Sequence, residues 1–247
     1  METLEKIIEK KIISFKDLYE IVGDNKYADK IAKKYLEKGY LARVKKNLYV
    51  ATNLETKEPI ADKFMIASKI TVDSTIALTS ALEYHGYYNQ VRNDCFVMTN
   101  TRFREFNFGG IDYKRIGNKF NEGITNLNPF IRITDLERSL VDVIKNLDKI
   151  ISLEEIYNVA SIIPSINEKK LKLYLDKYDI QFLYQKTGYI LESYKEELNI
   201  SDDFFCYLKT KIKTKRYLVK NESNVTYNQK WMLIVPKKGD DINYEIY

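Results

Sequence analysis

Residues 25–50 change from a helical to an extended pattern at a single glycine, and this change limits the folds open to the chain. Before Gly39, apolar residues recur every three or four positions, as on one face of an amphipathic helix. After it, residues 40–44 and 48–50 have the pattern of two short β-strands. Asn47, between them, tolerates the left-handed backbone of a tight turn. The pattern predicts a helix that leads directly into a β-hairpin.

Two shorter helices are predicted ahead of this pair of elements. Apolar residues at helical spacing occur at residues 3–11. Ser14 and Asp17 have the spacing of a capping box, which marks the start of a second helix. A polar break at residues 23–25 then separates the second helix from the third. Because three helices and a hairpin in this order are typical of a winged helix-turn-helix, we predict that domain at residues 1–52.

Positive charge is concentrated on the predicted third helix and hairpin. Residues 26–46 contain eight basic and two acidic residues, whereas the net charge of the whole chain is only +5. A winged helix places its third helix in the major groove of DNA, while the wing and the rest of the helix contact phosphates. We therefore predict an interface with double-stranded DNA. Its predicted residues are Asn25, Lys26, Lys30, Lys33, Lys34, Arg43, Lys45 and Lys46.

A second explanation is open for the same charges. Lysine is abundant throughout the chain, so the basic helix face could simply be solvated. The basic hairpin could be a lysine-guarded sheet edge that resists aggregation. The order of helices and hairpin favours DNA.

The remaining chain has a different organisation. Residues 53–58, ahead of Pro59, are polar and predict a linker. From residue 59 to 247, strand patterns and helical patterns are mixed, so we predict an α+β fold: an N-terminal winged helix-turn-helix followed by a larger mixed α/β region. This region could consist of two subdomains, at about 59–150 and 151–247. The second would be mostly helical to about residue 208, with closing strands at 217–219 and 230–235.

Several classes of chemistry lack the residues that they need. Cys95 and Cys206 form no C-x-x-C motif, and the chain has one histidine, so we predict neither a disulfide framework, nor a metal site, nor a cofactor. The usual motifs for nucleotide phosphates, acyl transfer and zinc proteases do not occur. The strongest enzymatic alternative is a metal-dependent nuclease that uses Asp94, Asp112 and Lys114. Their spacing is loose, and we expect no enzyme.

The hydropathy pattern predicts a cytoplasmic protein without membrane contact. No apolar stretch approaches eighteen residues, the length of a membrane-spanning helix. The first eleven residues mix Glu and Lys with Leu and Ile and lack the apolar core of a signal peptide.

Four segments, in order along the chain, carry a family resemblance. Leu36–Val50 is the predicted wing region. Ser80–Gly86 has the form S-A-L-x-x-H-G, and Thr134–Asp142 is similar to D-P-E-R-T-L-L-D. Tyr227–Trp231 is similar to a pattern near the family's C-terminus. In these segments the chain resembles the AbiEi-type antitoxins and transcriptional regulators of type IV toxin–antitoxin systems, with Leu136 where that family usually has Pro.

The resemblance implies two activities in one protein. Its winged helix would repress its own operon by binding repeats in the promoter. Its C-terminal region would counteract a nucleotidyltransferase toxin encoded beside it, as part of abortive infection and phage defence. Direct contact with the toxin stays open. The alternatives are a nuclease guided by the winged helix and a ligand-responsive transcription factor without an antitoxin role.

A second basic cluster could serve either DNA or the toxin. Residues 209–216 alternate as in a β-strand, which would align lysines on one face. A solvated surface segment explains the same pattern equally well. The residues of this second patch are Lys209, Lys211, Lys213, Lys215 and Arg216.

Overall fold

The chain contains runs of strands and runs of helices, which confirms the predicted α+β class. The computed structural model describes residues 2–218 and 224–237. The chain divides into two compact units. Unit 1 comprises Met1–Tyr84 and Asn89–Thr134, and unit 2 comprises His85–Tyr88 and Asp135–Tyr247.

The first six elements of unit 1 lie where the sequence predicted three helices and a hairpin, with one addition. They are α1 (Glu2–Lys10), β1 (Ile12–Ser14), α2 (Phe15–Val22), α3 (Asn25–Glu37), β2 (Leu41–Lys45) and β3 (Leu48–Ala51). The strands form an antiparallel sheet in the order β1-β3-β2. Strand β1 was not predicted, because three residues are too few to show an alternating pattern.

Local side-chain hydrogen bonds determine where α2 and α3 begin. The Ser14 hydroxyl accepts from the Asp17 amide at 3.1 Å, and the Asp17 carboxylate accepts from the Ser14 amide at 2.8 Å. The predicted capping box is therefore confirmed. Gly23 ends α2 in the left-handed region, with a φ of 77°. The Asp24 carboxylate then caps α3 by accepting from the Tyr27 amide at 2.7 Å.

The other elements of unit 1 are built around a six-stranded sheet. They are α4 (Lys63–Ala67), β4 (Thr75–Ile76), α5 (Leu78–Tyr84), β5 (Asp94–Met98), β6 (Phe106–Phe108), β7 (Ile111–Ile116), β8 (Ile124–Asn128) and β9 (Ile131–Thr134). The strand order is β6-β7-β5-β4-β9-β8. Strands β5 and β7 are parallel, as are β4 and β9, and the other neighbours are antiparallel.

Helical spacing at residues 74–85, ahead of Gly86, predicts one helix, but this prediction is wrong in its first part. Thr75 and Ile76 form β4, which pairs with β5 on one side and with β9 on the other. Leu78, the first residue of α5, has a φ of 57°, so the backbone turns between β4 and the helix. Pairing with distant strands outweighs the local helical spacing.

Strand β3 is buried on both of its faces. Leu48 and Val50 belong to a cluster with Ile66, Ile76 and other residues of the six-stranded region. Tyr49 and Ala51 belong to a second cluster, beneath α1, α2 and α3. The three-stranded sheet is therefore a layer between two hydrophobic cores of unit 1.

Unit 2 is mostly helical, as predicted from residue 153 to about 208. Its elements are α6 (Leu136–Lys145), α7 (Leu153–Ile162), α8 (Glu168–Tyr178), α9 (Gln181–Leu191), a 3-10 turn (Glu192–Tyr194), α10 (Asp202–Thr210), β10 (Arg216–Tyr217), β11 (Val225–Asn228) and β12 (Leu233–Pro236). The sheet order is β10-β12-β11, and β11 was not predicted. Val219, in the predicted strand 217–219, lies outside the described residues.

Two local predictions in this part of the chain are wrong. The spacing of Thr134 and Glu137 predicts a capping box with Thr134 as the N-cap of α6. The N-cap is instead Asp135, whose carboxylate accepts from the Arg138 amide at 2.9 Å. The basic run at residues 209–216 is not a strand, because Lys209 lies in α10 and only its last residue enters β10. Helix α10 extends into the first two residues of the run because Phe204, Phe205 and Leu208 are buried at helical spacing.

No helix in the described ranges has both the length and the apolar content needed to cross a bilayer.

A close contact between α9 and the tryptophan of the C-terminal segment organises unit 2. Gly188 lies within α9, and the ring of Trp231 packs directly against its backbone. The indole Nε1 donates to the Glu192 carboxylate at 2.9 Å. Lys230 binds the same carboxylate at 2.6 Å. The Tyr227–Trp231 segment therefore has a packing role in this structure.

We expect Gly188→Ala to destabilise the protein by about 1–3 kcal/mol, because the new Cβ would overlap the Trp231 ring. Alanine is the better helix former by about 1 kcal/mol, so propensity alone predicts the opposite sign. Urea denaturation measures the difference in the free energy of unfolding. The control is Gly117→Ala, where a Cβ would meet no atom within 4 Å. A Gly188→Ala protein as stable as wild type would contradict the packing described here.

Candidate nucleic-acid interface

Helix α3 presents a lysine stripe on the face opposite its core residues. At 3.6 residues per turn, Lys26, Lys30 and Lys33 lie within a narrow sector of the helix, and all three are exposed. Ala28 and Ile31, on the other side, are buried. Burial of the apolar side therefore places the lysine stripe on the exposed side of α3.

Most of these lysines have no acidic partner in the described part of the chain. Lys33 binds Asp29 at 2.7 Å, and both side chains are largely exposed. Lys26, Lys30 and Lys34 make no ion pair with any described residue. Their charges are therefore available for a negatively charged ligand, whereas Lys33 would exchange one partner for another.

Two exposed tyrosines of α2 and α3 were not among the predicted interface residues. Tyr27, in the first turn of α3 beside the predicted Asn25, is 53% exposed. Tyr19, in α2, is 41% exposed. The available signal was that Tyr27 falls off the apolar stripe of α3. Both side chains can add aromatic and hydroxyl contacts to those of the lysines.

The β2–β3 hairpin carries the other predicted basic residues, in different environments. Arg43 is exposed, with its guanidinium 5.9 Å from the centre of the Tyr49 ring. Lys46 is exposed in the turn, where Asn47 adopts the expected left-handed φ of 63°. Lys45 is half-buried, and its burial lowers the pKa of its ammonium group. Lys45 is therefore partly enclosed by the protein itself.

A second segment of unit 1 lies against the hairpin and extends its positive charge. The Lys45 ammonium group lies 5.4 Å from the centre of the Phe103 ring. Between the hairpin and this segment is an open groove of about 570 Å³. We call it the flanking groove, and it is lined by Lys45, Lys46, Arg102, Phe103, Arg104, Glu105 and Phe106. The sequence reasoning missed Arg102 and Arg104, although the alternation of arginine and phenylalanine was a visible signal.

The segment that carries the two arginines follows a partly buried hydrogen-bond network around Asp73. The Asp73 carboxylate accepts from the Thr99 hydroxyl and, at 2.8 Å, from the Asn100 amide. Arg115 donates to the backbone carbonyls of Thr99 at 3.2 Å and Thr101 at 3.3 Å. Partial burial favours the neutral form of the Asp73 carboxyl group. The hydrogen bonds donated to that carboxylate outweigh this effect and hold the pKa of Asp73 well below its usual range. Hydrogen bonds therefore hold the backbone of residues 99–101, directly before the two arginines.

The residues of the nuclease alternative meet, but as an ion-pair cluster. Asp94 and Asp112 are direct neighbours across β5 and β7. Asp94 accepts from Arg92 at 2.8 Å and from Lys114 at 3.1 Å. The hydrogen bond from Arg92, against the effect of burial, lowers the pKa of Asp94. Within the described residues, no three His, Cys, Asp or Glu side chains are arranged to hold a metal ion.

The second basic patch lies at the end of α10 and in the turn after it. Lys209 lies over the ring of Trp231, at 5.5 Å from its centre, and Lys211 lies over Tyr184 at 5.6 Å. Lys213, Lys215 and Arg216 are exposed. Since these residues do not share a strand, the alignment on one face that the prediction required does not occur.

The residues that carry the family resemblance have structural roles here. The Ser80 hydroxyl accepts from the Phe96 amide at 2.9 Å in the buried core. Arg138 and Asp142 form the expected pair at 3.0 Å, with both side chains almost fully buried. The Tyr178 hydroxyl donates to the same carboxylate at 2.6 Å. These residues stabilise the fold, so the segments that contain them give information on the fold and not on an activity.

Comparison with solved structures shows a fold that is already known. No family model matches the chain, and no curated protein matches it. A solved structure, that of the RV2827C protein from Mycobacterium tuberculosis, is similar with a TM-score of 0.61 and 13% sequence identity. The match covers 91% of this chain and 86% of that one. At this identity the similarity shows a shared fold alone.

We expect Asp73→Asn to remove a pH-dependent contribution to stability. A carboxylate with a lowered pKa in the folded state stabilises the protein above its unfolded pKa, near 4, and that contribution is lost as the pH falls. The variant should be less stable at pH 7 by about 1.5–3 kcal/mol, the typical contribution of hydrogen bonds to a charged group. Its stability should also fall less steeply between pH 5 and pH 3. Urea denaturation across this range measures both effects.

Asp112→Asn is the matched control, because it makes the same substitution at an exposed carboxylate of β7 in the same unit. It should keep the wild-type pH dependence. Equal slopes for wild type and Asp73→Asn would mean that the network around Asp73 does not carry this contribution.

Proposed function

We propose that the chain is a cytoplasmic transcriptional repressor whose residues 1–52 form a DNA-binding winged helix-turn-helix. The observation that carries the proposal is the exposed lysine stripe of α3, next to a basic hairpin. Three helices, a three-stranded antiparallel sheet and a basic β2–β3 turn have the element order expected of this domain.

The proposed contacts follow from the position of each residue. The N-terminal half of α3 would enter the major groove, where Asn25, Lys26 and Lys30 can reach base edges. Lys34 and the hairpin would contact phosphates and orient the protein on the duplex. Because the apolar side of α3 is buried in a core, the helix can meet DNA without reorganising.

We further propose that the protein represses its own promoter and acts as an antitoxin against a nucleotidyltransferase toxin, in abortive infection and phage defence. This proposal rests on the four family-like segments. The residues of those segments whose contacts are described above stabilise the fold, so none of them is assigned to a surface that would bind the toxin. The nuclease alternative has less support, since Arg92 and Lys114 already bind Asp94.

The DNA-binding test uses Lys26→Glu with Lys30→Glu. Neither lysine makes an ion pair with a described residue, so the substitution breaks no such contact. Fluorescence anisotropy would compare a duplex from upstream of the gene with a scrambled duplex over a series of salt concentrations. We expect wild type to prefer its own upstream DNA with a Kd of about 10 nM or below. The log-log salt slope should be about −5, from about six phosphates at −0.9 each. The variant should lose the preference.

Lys149→Glu with Lys169→Glu is the control, since it makes the same charge change at two exposed lysines of unit 2. It should bind the upstream duplex with nearly wild-type preference. An unchanged preference in the α3 variant would contradict the assignment of the stripe. Equal, weak binding of both duplexes by wild type would contradict specific DNA binding.

The antitoxin proposal is tested with the same α3 variant. Deletion of residues 1–52 is unsuitable, because Ile12, Val44, Leu48 and Val50 belong to a core shared with the rest of unit 1. Expressed from an independent promoter, Lys26→Glu with Lys30→Glu should neutralise the neighbouring nucleotidyltransferase as well as wild type does. Growth of cells that induce the toxin is the measurement. Failure of wild type to restore growth would contradict the antitoxin role.

A further inference from the structure

We propose that the flanking groove is a second binding track for the phosphate backbone of the same DNA duplex, with Arg102 and Arg104 as its main contacts. The inference rests on the proposed DNA binding and extends it beyond α3 and the hairpin. It assigns a nucleic-acid contact to a segment outside residues 1–52.

The charges of the flanking groove are strongly unbalanced. Four basic side chains line it, against one carboxylate, Glu105. That carboxylate also accepts a hydrogen bond from the backbone amide of Arg115 at 3.1 Å. Arg102 and Arg104 are exposed and make no ion pair with a described residue. Cations held side by side repel one another, and a polyanion in the groove would remove that repulsion.

The arrangement of the segment directs both arginines outward. Phe103, between them, is partly buried and packs against the core of unit 1, as does Phe106. Phe106 stacks on Tyr113, with ring centres 5.0 Å apart. The apolar side chains thus anchor the segment while the two guanidinium groups remain in solvent.

The backbone under the arginines is already ordered in the free protein. Asp73 and Arg115 bind the polar groups of residues 99–101 directly before the segment. The Lys45 ammonium group, over the Phe103 ring, joins the segment to the hairpin. Because the backbone needs no ordering on binding, the arginines lose only their own side-chain freedom.

These features favour a DNA backbone over a single small anion. The groove is open to solvent, and its cations come from two separate segments, the hairpin and residues 102–104. Such a surface suits a chain of phosphates that passes along it, and arginine binds phosphate oxygens with two parallel hydrogen bonds. The groove is also continuous with the hairpin, which the proposed function already places at the duplex.

The contact would be independent of DNA sequence, because phosphates carry no base identity. We therefore expect Arg102→Ala with Arg104→Ala to weaken binding of the upstream and the scrambled duplex by the same factor, about 10-fold or more at low salt. The ratio of the two affinities should not change. The log-log salt slope should become less negative by about 1.8, since two phosphate contacts at 0.9 each are lost.

Two further variants separate this role from a structural one. Arg102→Lys with Arg104→Lys keeps the charges and should keep most of the wild-type salt slope. Lys149→Ala with Lys169→Ala removes the same charge elsewhere and should leave the slope unchanged. Thermal melting of each protein would establish that the fold is retained, which we expect because the two arginines are exposed.

The outcomes distinguish this inference from the proposed function. If the α3 variant loses sequence preference while the arginine-to-alanine variant has wild-type affinity and slope, the second track is overturned and the winged helix stands. If wild type does not discriminate between the duplexes but the arginine-to-alanine variant has a less negative salt slope than wild type, the proposed specific binding fails and the second track stands. Wild-type DNA binding with impaired toxin neutralisation in the arginine variant would assign the groove to a protein partner and overturn the inference.

Discussion

The burial of β3 on both faces is the constraint on which the geometry of unit 1 depends. Its side chains alternate between two cores, and Leu48, Tyr49, Val50 and Ala51 are each at most 5% exposed. Full burial of one such apolar side chain contributes about 1.5–3 kcal/mol. Since β2 pairs with β3, and α1–α3 pack on one of these cores, the basic hairpin and the lysine stripe are both attached to this buried layer.

This attachment has a consequence for how DNA would be recognised. The hairpin and the arginine segment belong to the same compact unit, and Lys45 lies over Phe103 between them. Charges that are 50–60 residues apart in sequence therefore form one surface. A duplex bound to α3 would meet this surface already assembled, so that less conformational entropy is lost on binding than with flexible basic tails.

Sequence reasoning located elements where the signal is local. The caps of α2 and the turn at Asn47 depend on residues within three or four positions, and they occur as predicted. It failed where pairing with distant residues decides the structure. Strand β1 has three residues and pairs with β3, and β4 has two residues and pairs with β5 and β9. The alternating lysines at 209–216 led to the wrong prediction of a strand. The buried aromatic residues just before them belong to α10, which extends into the start of this run.

The sequence by itself determined the amphipathic character of α3, the hairpin after it and the concentration of positive charge on both. These properties follow from side-chain period and local backbone preference, which act over a few residues. Only the tertiary structure decided which charges remain available: Asp94 is bound by Arg92 and Lys114, whereas Arg102 and Arg104 lie beside the hairpin without an acidic partner among the described residues. The physical reason is that ion pairing depends on distances of a few ångströms, and strand pairing sets those distances between residues far apart in the chain.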